Sequence, residues 1–142
     1  MTSNQRTSRT ASTTSQESPP RHPLYSALIG LAVLGVLLQS LWAGLFVREG
    51  KEYQANWVEV HALDGEVTIA LAALATVAAF VLLRHRRDLV VGTAALTALL
   101  VIEAYIGGRI GGTARLTAVH FPLALALMGL VVWLSLRSAR RG

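Results

Sequence analysis

The chain has 142 residues, of which 53% are hydrophobic and 15% charged, and it contains no cysteine. The hydrophobic fraction is too high for an ordinary soluble domain of this length. The lack of cysteine excludes disulfides, thiolate metal sites, iron–sulfur clusters and covalent c-type haem attachment. The formal net charge of +5 does not indicate nucleic-acid binding, because the cations flank apolar segments. We therefore expect the lipid bilayer, and no nucleic acid, as a partner.

The chain begins with a polar segment, and four long apolar segments follow it. Residues 1–23 are rich in Ser and Thr and are predicted to form a disordered cytoplasmic tail. Each apolar segment is close to the roughly 20 residues that span a bilayer. They predict an all-α, four-helix transmembrane bundle over residues 24–137, with a basic cytoplasmic tail at 138–142. The predicted helices are about 24–47, 57–83, 89–106 and 116–136.

The cations are distributed unequally between the two sides of the predicted membrane domain. Nine Lys and Arg residues flank one side and four flank the other. Cytoplasmic loops carry an excess of Lys and Arg, so both termini are predicted to be cytoplasmic. The sequence thus predicts a multi-pass plasma-membrane protein with two external loops. The four cations on the external side are Arg48, Lys51, Arg109 and Arg115.

The two halves of the domain resemble each other as helical hairpins. Val60-His61 opens the second helix and Val119-His120 opens the fourth; each pair follows a polar loop, and each of these helices ends in arginines. Both halves start on the inside, so the predicted repeat is parallel, with a pseudo-twofold axis along the membrane normal. Such an axis would place His61 and His120 at one depth, facing each other.

Two imidazoles at one depth indicate a haem site. Bis-histidine ligation of b-type haem needs two imidazoles on opposite sides of a flat macrocycle. We interpret His61 and His120 as axial ligands of haem b, in electron transfer or haem handling with a redox or membrane-complex partner. Asp64 and Glu103 are interpreted as carboxylates that orient the ligand rings. No residue is assigned a catalytic role, and the pattern leaves open whether the protein is an enzyme.

Other interpretations of these residues stay open. The histidines could be interfacial residues bonded to carboxylates, in an accessory or assembly subunit of a membrane complex. They could also form a divalent metal site with Glu103 and Asp64. Asp64 and Glu66 could instead cap the first turns of the second helix, where acids suit the helix dipole.

Two further polar or helix-bending positions lie within the predicted helices. Gln39 is interpreted as a helix–helix hydrogen bond. Pro122 either bends the fourth helix or lies in its first turn.

The segments around the two histidines, "WVEVHALDGE" and "LTAVHFPLALALMGL", resemble one half of haem A synthase. In that family each four-helix half has a histidine at the outer end of its second and fourth helices and binds haem between them. The resemblance implies the same roles for His61 and His120. Val58 stands where the family has an acidic residue, and a single half implies no haem A synthesis by this chain alone. The "LWAGLF" segment is also similar to short, uncharacterised bacterial four-helix membrane proteins with paired histidines.

Overall fold

The computed structural model describes residues 22–46 and 55–139, and predictions that fall on 1–21, 47–54 and 140–142 lie outside the described residues. Four α-helices make up nearly all of it, which confirms the predicted all-α, four-helix architecture. Two short 3-10 turns, Ile110–Gly112 and Ala114–Leu116, connect the last two helices. The helices are α1 (Pro23–Phe46), α2 (Ala55–Leu82), α3 (Arg87–Gly107) and α4 (Thr117–Ala139).

The bundle presents an apolar surface to its surroundings on all four helices. Each helix is long and apolar enough to cross a membrane. Large apolar side chains point outward, including Phe80, which is 69% exposed, and Leu125, which is 75% exposed. A soluble bundle would place polar residues there, whereas lipid tails accept apolar side chains. The described helices are therefore those of a multi-pass membrane protein.

The helices are arranged so that α2 and α4 lie diagonally. α1 packs against α2 and α4, and α3 also packs against α2 and α4. The short connection between α2 and α3 makes those two helices antiparallel. Neighbouring helices thus alternate in direction, and α2 and α4 begin at the same end of the bundle.

Polar contacts mark the two ends of the bundle. At one end, which we call the arginine end, Asp88 accepts hydrogen bonds from Arg86 and, at 2.8 Å, from Arg137. These bonds join the α2–α3 connection to the last turns of α4. The opposite end, which we call the histidine end, carries His61 and His120.

Small residues allow the helices to approach one another closely in the core. α2 contributes four buried alanines, and the other helices fill the space between them with larger side chains. Close packing of small residues is a main source of helix association in lipid, where apolar surface alone gives no driving force. The buried alanines of α2 are Ala72, Ala75, Ala78 and Ala79, and α1 adds Ala32.

Hydroxyl groups link the helices between the two ends, a feature to which the sequence analysis gave no role. The Tyr25 hydroxyl lies 2.9 Å from Thr93 Oγ1, which joins α1 to α3 across the core. Thr76 Oγ1 lies 2.9 Å from Thr97 Oγ1, which joins α2 to α3. Interhelical hydrogen bonds of this kind help to fix the register of membrane helices.

Gly35 on α1 gives the closest approach to α2. The space that a side chain would occupy at Gly35 is filled by the hydroxyl of Thr68, and Thr68 is almost fully buried. A methyl group at position 35 would overlap that hydroxyl. Gly35 is therefore required by packing, whereas Gly30, on an exposed part of α1, has open space around it.

We expect Gly35→Ala to destabilise the bundle by about 1–3 kcal/mol, the usual cost of overpacking a core. The free energy of unfolding can be measured by denaturant titration in detergent with circular dichroism. Gly30→Ala is the matched control and should be near neutral. Thr68→Ala should restore part of the stability of Gly35→Ala. Equal stability of the two glycine variants would contradict the packing assignment.

Candidate site at the histidine end

His61 is held by α1 through Gln39. His61 Nδ1 lies 3.2 Å from the backbone carbonyl oxygen of Gln39. The Gln39 side-chain Nε2 donates to the His61 carbonyl at 2.9 Å and to Asp64 Oδ2 at 2.7 Å. A carbonyl only accepts, so the neutral ring carries its proton on Nδ1 and keeps its lone pair on Nε2. This is the tautomer in which Nε2 can bind a metal.

Aromatic rings surround the His61 side of the site. The Phe46 ring meets the imidazole edge-on, with ring centres 5.4 Å apart and planes at 75°. Trp42 and Trp57 stack on each other at 5.5 Å with planes at 10°, so they join the end of α1 to the start of α2. Phe46 thus adds an apolar contact to the polar contacts that His61 makes with Gln39.

His120 lies beside a buried carboxylate on α3. His120 Nδ1 is 3.0 Å from Glu103 Oε1, and the two side chains are 17% and 11% exposed. The ring N–H is not aligned for a hydrogen bond, so the contact is an ion-pair distance without hydrogen-bond geometry. Glu103 lies in the last turns of α3, whereas His120 is in the first turn of α4. The α3–α4 connection thus brings them together.

The end of α3 is shaped to fit the His120 ring. A Cβ atom at Gly107 would lie 3.1 Å from His120 Cε1, which is tighter than ordinary contact. A glycine at this position lets the imidazole lie against the α3 backbone. Pro122 is inside α4 rather than at its first position, so one backbone hydrogen bond is missing beside His120.

The structure places both predicted ligands at the same end of the bundle. His61 lies on α2 and His120 on α4, the two diagonal helices. Glu103 is beside His120, as an orienting residue would be. Asp64 accepts a hydrogen bond from Gln39 and forms no hydrogen bond to an imidazole among the described residues.

The interpretation of Asp64 and Glu66 as capping residues is wrong. α2 begins at Ala55, so both acids lie beyond the first turn, whose backbone N–H groups need caps. Glu66 is exposed on the outer face of the bundle, and Asp64 is half-buried against α1. The predicted start near Trp57 is two residues later than the observed one.

Sequence reasoning undervalued Gln39 and did not find Gly107. Gln39 is the single amide side chain of α1 and forms two of the hydrogen bonds that organise the His61 region. A polar group at membrane depth is a functional candidate by default, and that signal was available. Gly107 gave no such signal, because its role depends on how α3 and α4 are rotated toward each other.

The described residues do not gather the ligands of a divalent metal site. Among residues 22–46 and 55–139, no group of three or more His, Cys, Asp or Glu side chains is close enough to hold a metal ion. Zinc sites in proteins use three or four protein ligands. Haem iron needs only two, because the macrocycle supplies the other four donors.

Comparison with known proteins returned no match for this chain: no protein-family model fits it, and no curated protein or solved structure is significantly similar to it.

We expect Gln39→Leu to destabilise the bundle by about 1–2 kcal/mol, because Asp64 Oδ2 loses its partner while the side-chain volume is kept. The free energy of unfolding in detergent measures the loss. Nitrogen chemical shifts of the His61 ring should change in the same variant. Ser40→Ala, at the neighbouring exposed position, is the control and should change neither. Unchanged stability and ring shifts in Gln39→Leu would show that Gln39 does not hold this region.

Proposed function

We propose that this protein binds one b-type haem between His61 and His120 and works in electron transfer or haem handling. The observation that carries the proposal is the state of the two imidazoles at one end of the bundle. His61 Nδ1 lies at hydrogen-bond distance from the Gln39 carbonyl of the preceding helix, and His120 Nδ1 lies 3.0 Å from Glu103 Oε1 without hydrogen-bond geometry. Neither Nε2 has a hydrogen bond to a described residue. His61 and His120 would hold the haem through their Nε2 atoms. When bound, haem would supply one-electron chemistry.

The other residues of the site would hold the ligands in place. The Gln39 carbonyl fixes the tautomer and orientation of His61, which is the usual role of a partner to the second ring nitrogen of a metal ligand. Glu103 places a carboxylate beside the corresponding nitrogen of His120. Phe46 and the Trp42–Trp57 stack supply apolar surface suited to a porphyrin.

We also propose an orientation of the site in the membrane and a requirement for a partner. We infer that the arginine end is cytoplasmic, with both termini inside, because most cations lie on that side. The histidine end would then face the outside of the plasma membrane. A single haem near one face cannot carry electrons across the bilayer, so a redox partner or a larger membrane complex is required. The resemblance to half of a haem A synthase supports the same two ligands.

We expect protein expressed with ample haem and purified in detergent to show a Soret band and a reduced-minus-oxidised difference spectrum of b-type haem. His61→Ala and His120→Ala should each lose most of the bound haem, because one axial ligand is removed. His22→Ala and His85→Ala are matched controls outside the site and should keep it. No Soret band in the wild type, or a band unchanged in both site variants, would overturn the proposal.

Two other results of the same purification would support the alternatives. Stoichiometric zinc or iron without haem absorbance would support a divalent metal site. A fixed protein partner together with a haem-free spectrum would support an accessory subunit. No contact among the described residues favours either alternative over the haem proposal.

We expect Glu103→Gln to raise the midpoint potential of the bound haem by on the order of 60 mV. For a one-electron reduction, this corresponds to about a tenfold change in the equilibrium constant. Removal of a negative charge 3.0 Å from the ligand ring makes the oxidised, more positive iron less stable. Redox titration followed by absorbance measures the potential. Glu59→Gln, at an exposed position on α2, is the control and should leave it nearly unchanged. A potential that falls, or that shifts equally in both variants, would contradict the assignment.

A further inference from the structure

Two arginines at the arginine end of the bundle share one carboxylate. Arg86 Nε and Nη2 donate to the two carboxyl oxygens of Asp88, each at 3.2 Å, and Nη2 also donates to the Arg137 carbonyl at 3.3 Å. Arg137 Nε donates to Asp88 Oδ2 at 2.8 Å. Both guanidinium groups therefore lie within 3.2 Å of the same carboxylate oxygen. One negative charge holds them in place but neutralises only one of them.

The outer N–H groups of this pair have no acceptor among the described residues. The Arg137 side chain is 46% exposed and uses only Nε, and the Arg86 side chain is 24% exposed and keeps Nη1. Arg84 and Arg87 lie beside the pair, before and at the start of α3, and both are exposed. Four arginines against one aspartate give a formal charge of +3. We call these residues, which are Arg84, Arg86, Arg87, Asp88 and Arg137, the arginine cluster.

An exposed apolar surface lies one helical turn from the arginine cluster, toward the middle of the bundle. Trp133 precedes Arg137 by one turn on the same face of α4 and is 45% exposed. The Trp133 ring packs against α3 at Gly92, where a Cβ atom would lie 3.1 Å from Trp133 Cζ3. The neighbouring Val91 is 67% exposed. α3 and α4 are thus joined by a polar contact at their ends and by an apolar one a turn deeper.

We propose that this end of α3 and α4 binds an anionic phospholipid. Arg86 and Arg137 bind the headgroup phosphate, and an acyl chain lies along Trp133 and Val91. Guanidinium groups match the geometry of phosphate oxygens, and basic pockets between membrane helices bind anionic headgroups. Tryptophan suits the level of the headgroups because its ring is amphipathic.

The arrangement favours a lipid over a soluble acidic partner. A soluble anion would account for the arginines but not for the exposed apolar side chains one turn away on the same helices. A phospholipid carries the negative group and the apolar chains in one molecule, in the same order along the membrane normal. The site depends neither on haem binding nor on which side of the membrane the arginine end faces.

Quenching of Trp133 fluorescence by brominated lipid tests the site. The chain has three tryptophans, so Trp42→Phe with Trp57→Phe leaves Trp133 as the single reporter. The full chain is reconstituted in phosphatidylcholine vesicles that contain brominated phosphatidylglycerol or, at equal mole fraction, brominated phosphatidylcholine. We expect the anionic lipid to be preferred at Trp133 by at least about fivefold. Equal quenching by the two lipids would overturn the proposal.

Two arginine variants in the same background separate a positioned site from general attraction to an anionic surface. Arg137→Gln should lower the preference for phosphatidylglycerol by about fivefold, because it removes a guanidinium group that Asp88 holds in place. Arg84→Gln is the matched control. It removes the same charge from the same end, but Arg84 is not held by Asp88, so we expect a loss of less than about twofold. Equal losses in both variants would overturn the proposal.

If these variants fail to fold, native mass spectrometry of the wild type and Arg137→Lys in detergent replaces the quenching measurement. Lysine keeps the charge but cannot bond Asp88 through Nε while it presents two further N–H groups to a phosphate. The wild type should retain phosphatidylglycerol over phosphatidylcholine, Arg137→Lys should retain less of it, and excess inorganic phosphate should not displace it. Equal retention of the two lipids, equal retention by the two proteins, or displacement by phosphate would each contradict the assignment.

Discussion

The constraint on which the rest of this structure depends is that polar atoms inside an apolar bundle must find partners within it. Lipid offers no hydrogen bonds, so each buried hydroxyl, amide or carboxyl group has to be matched by a neighbouring helix or by trapped solvent. Tyr25 meets Thr93, and Gln39 meets Asp64. These pairings determine how the helices are rotated.

The two imidazoles are supported in parallel ways but by different chemistry. In each hairpin the histidine lies on the second helix and is contacted by the first: α1 supports His61, and α3 supports His120. His61 meets a neutral backbone carbonyl, whereas His120 meets a carboxylate. A carboxylate partner makes an imidazole a stronger donor to a metal than a carbonyl partner does. In the proposed haem site, the two imidazoles would therefore bind the iron with unequal strength.

The number of helices could be predicted from the sequence, but their contacts could not. Long apolar segments can only be helices in a bilayer, so the count of four depends on a simple physical rule. The start of α2 was less accessible, because Ala55 and Asn56 belong to the helix although they precede the predicted start at Trp57. The position of the two histidines along their helices could also be predicted. The Val-His pairs indicated that both histidines lie near one end of the bundle, and they do lie there.

The rotation of each helix about its axis was beyond sequence reasoning. All four helices are apolar on most of their surface, so no strong amphipathic pattern tells which face is inward. For this reason the Gln39 carbonyl, the Gly35–Thr68 contact and the fit of Gly107 to His120 appear only in three dimensions. In each case the decisive group is a backbone atom or a missing side chain, and neither carries a chemical signature in the sequence.

The described residues at the histidine end offer few side chains that could bind one ion together. An ion that must be surrounded by protein needs several converging side chains, and the described residues bring no three candidate ligands together. A planar macrocycle brings most of its own donors and needs only one nitrogen above and one below. In the proposed haem site, the diagonal helices α2 and α4 would each supply one imidazole. His61 Nδ1 faces the Gln39 carbonyl and His120 Nδ1 faces Glu103 Oε1, so Nε2 is the nitrogen that each imidazole has to offer.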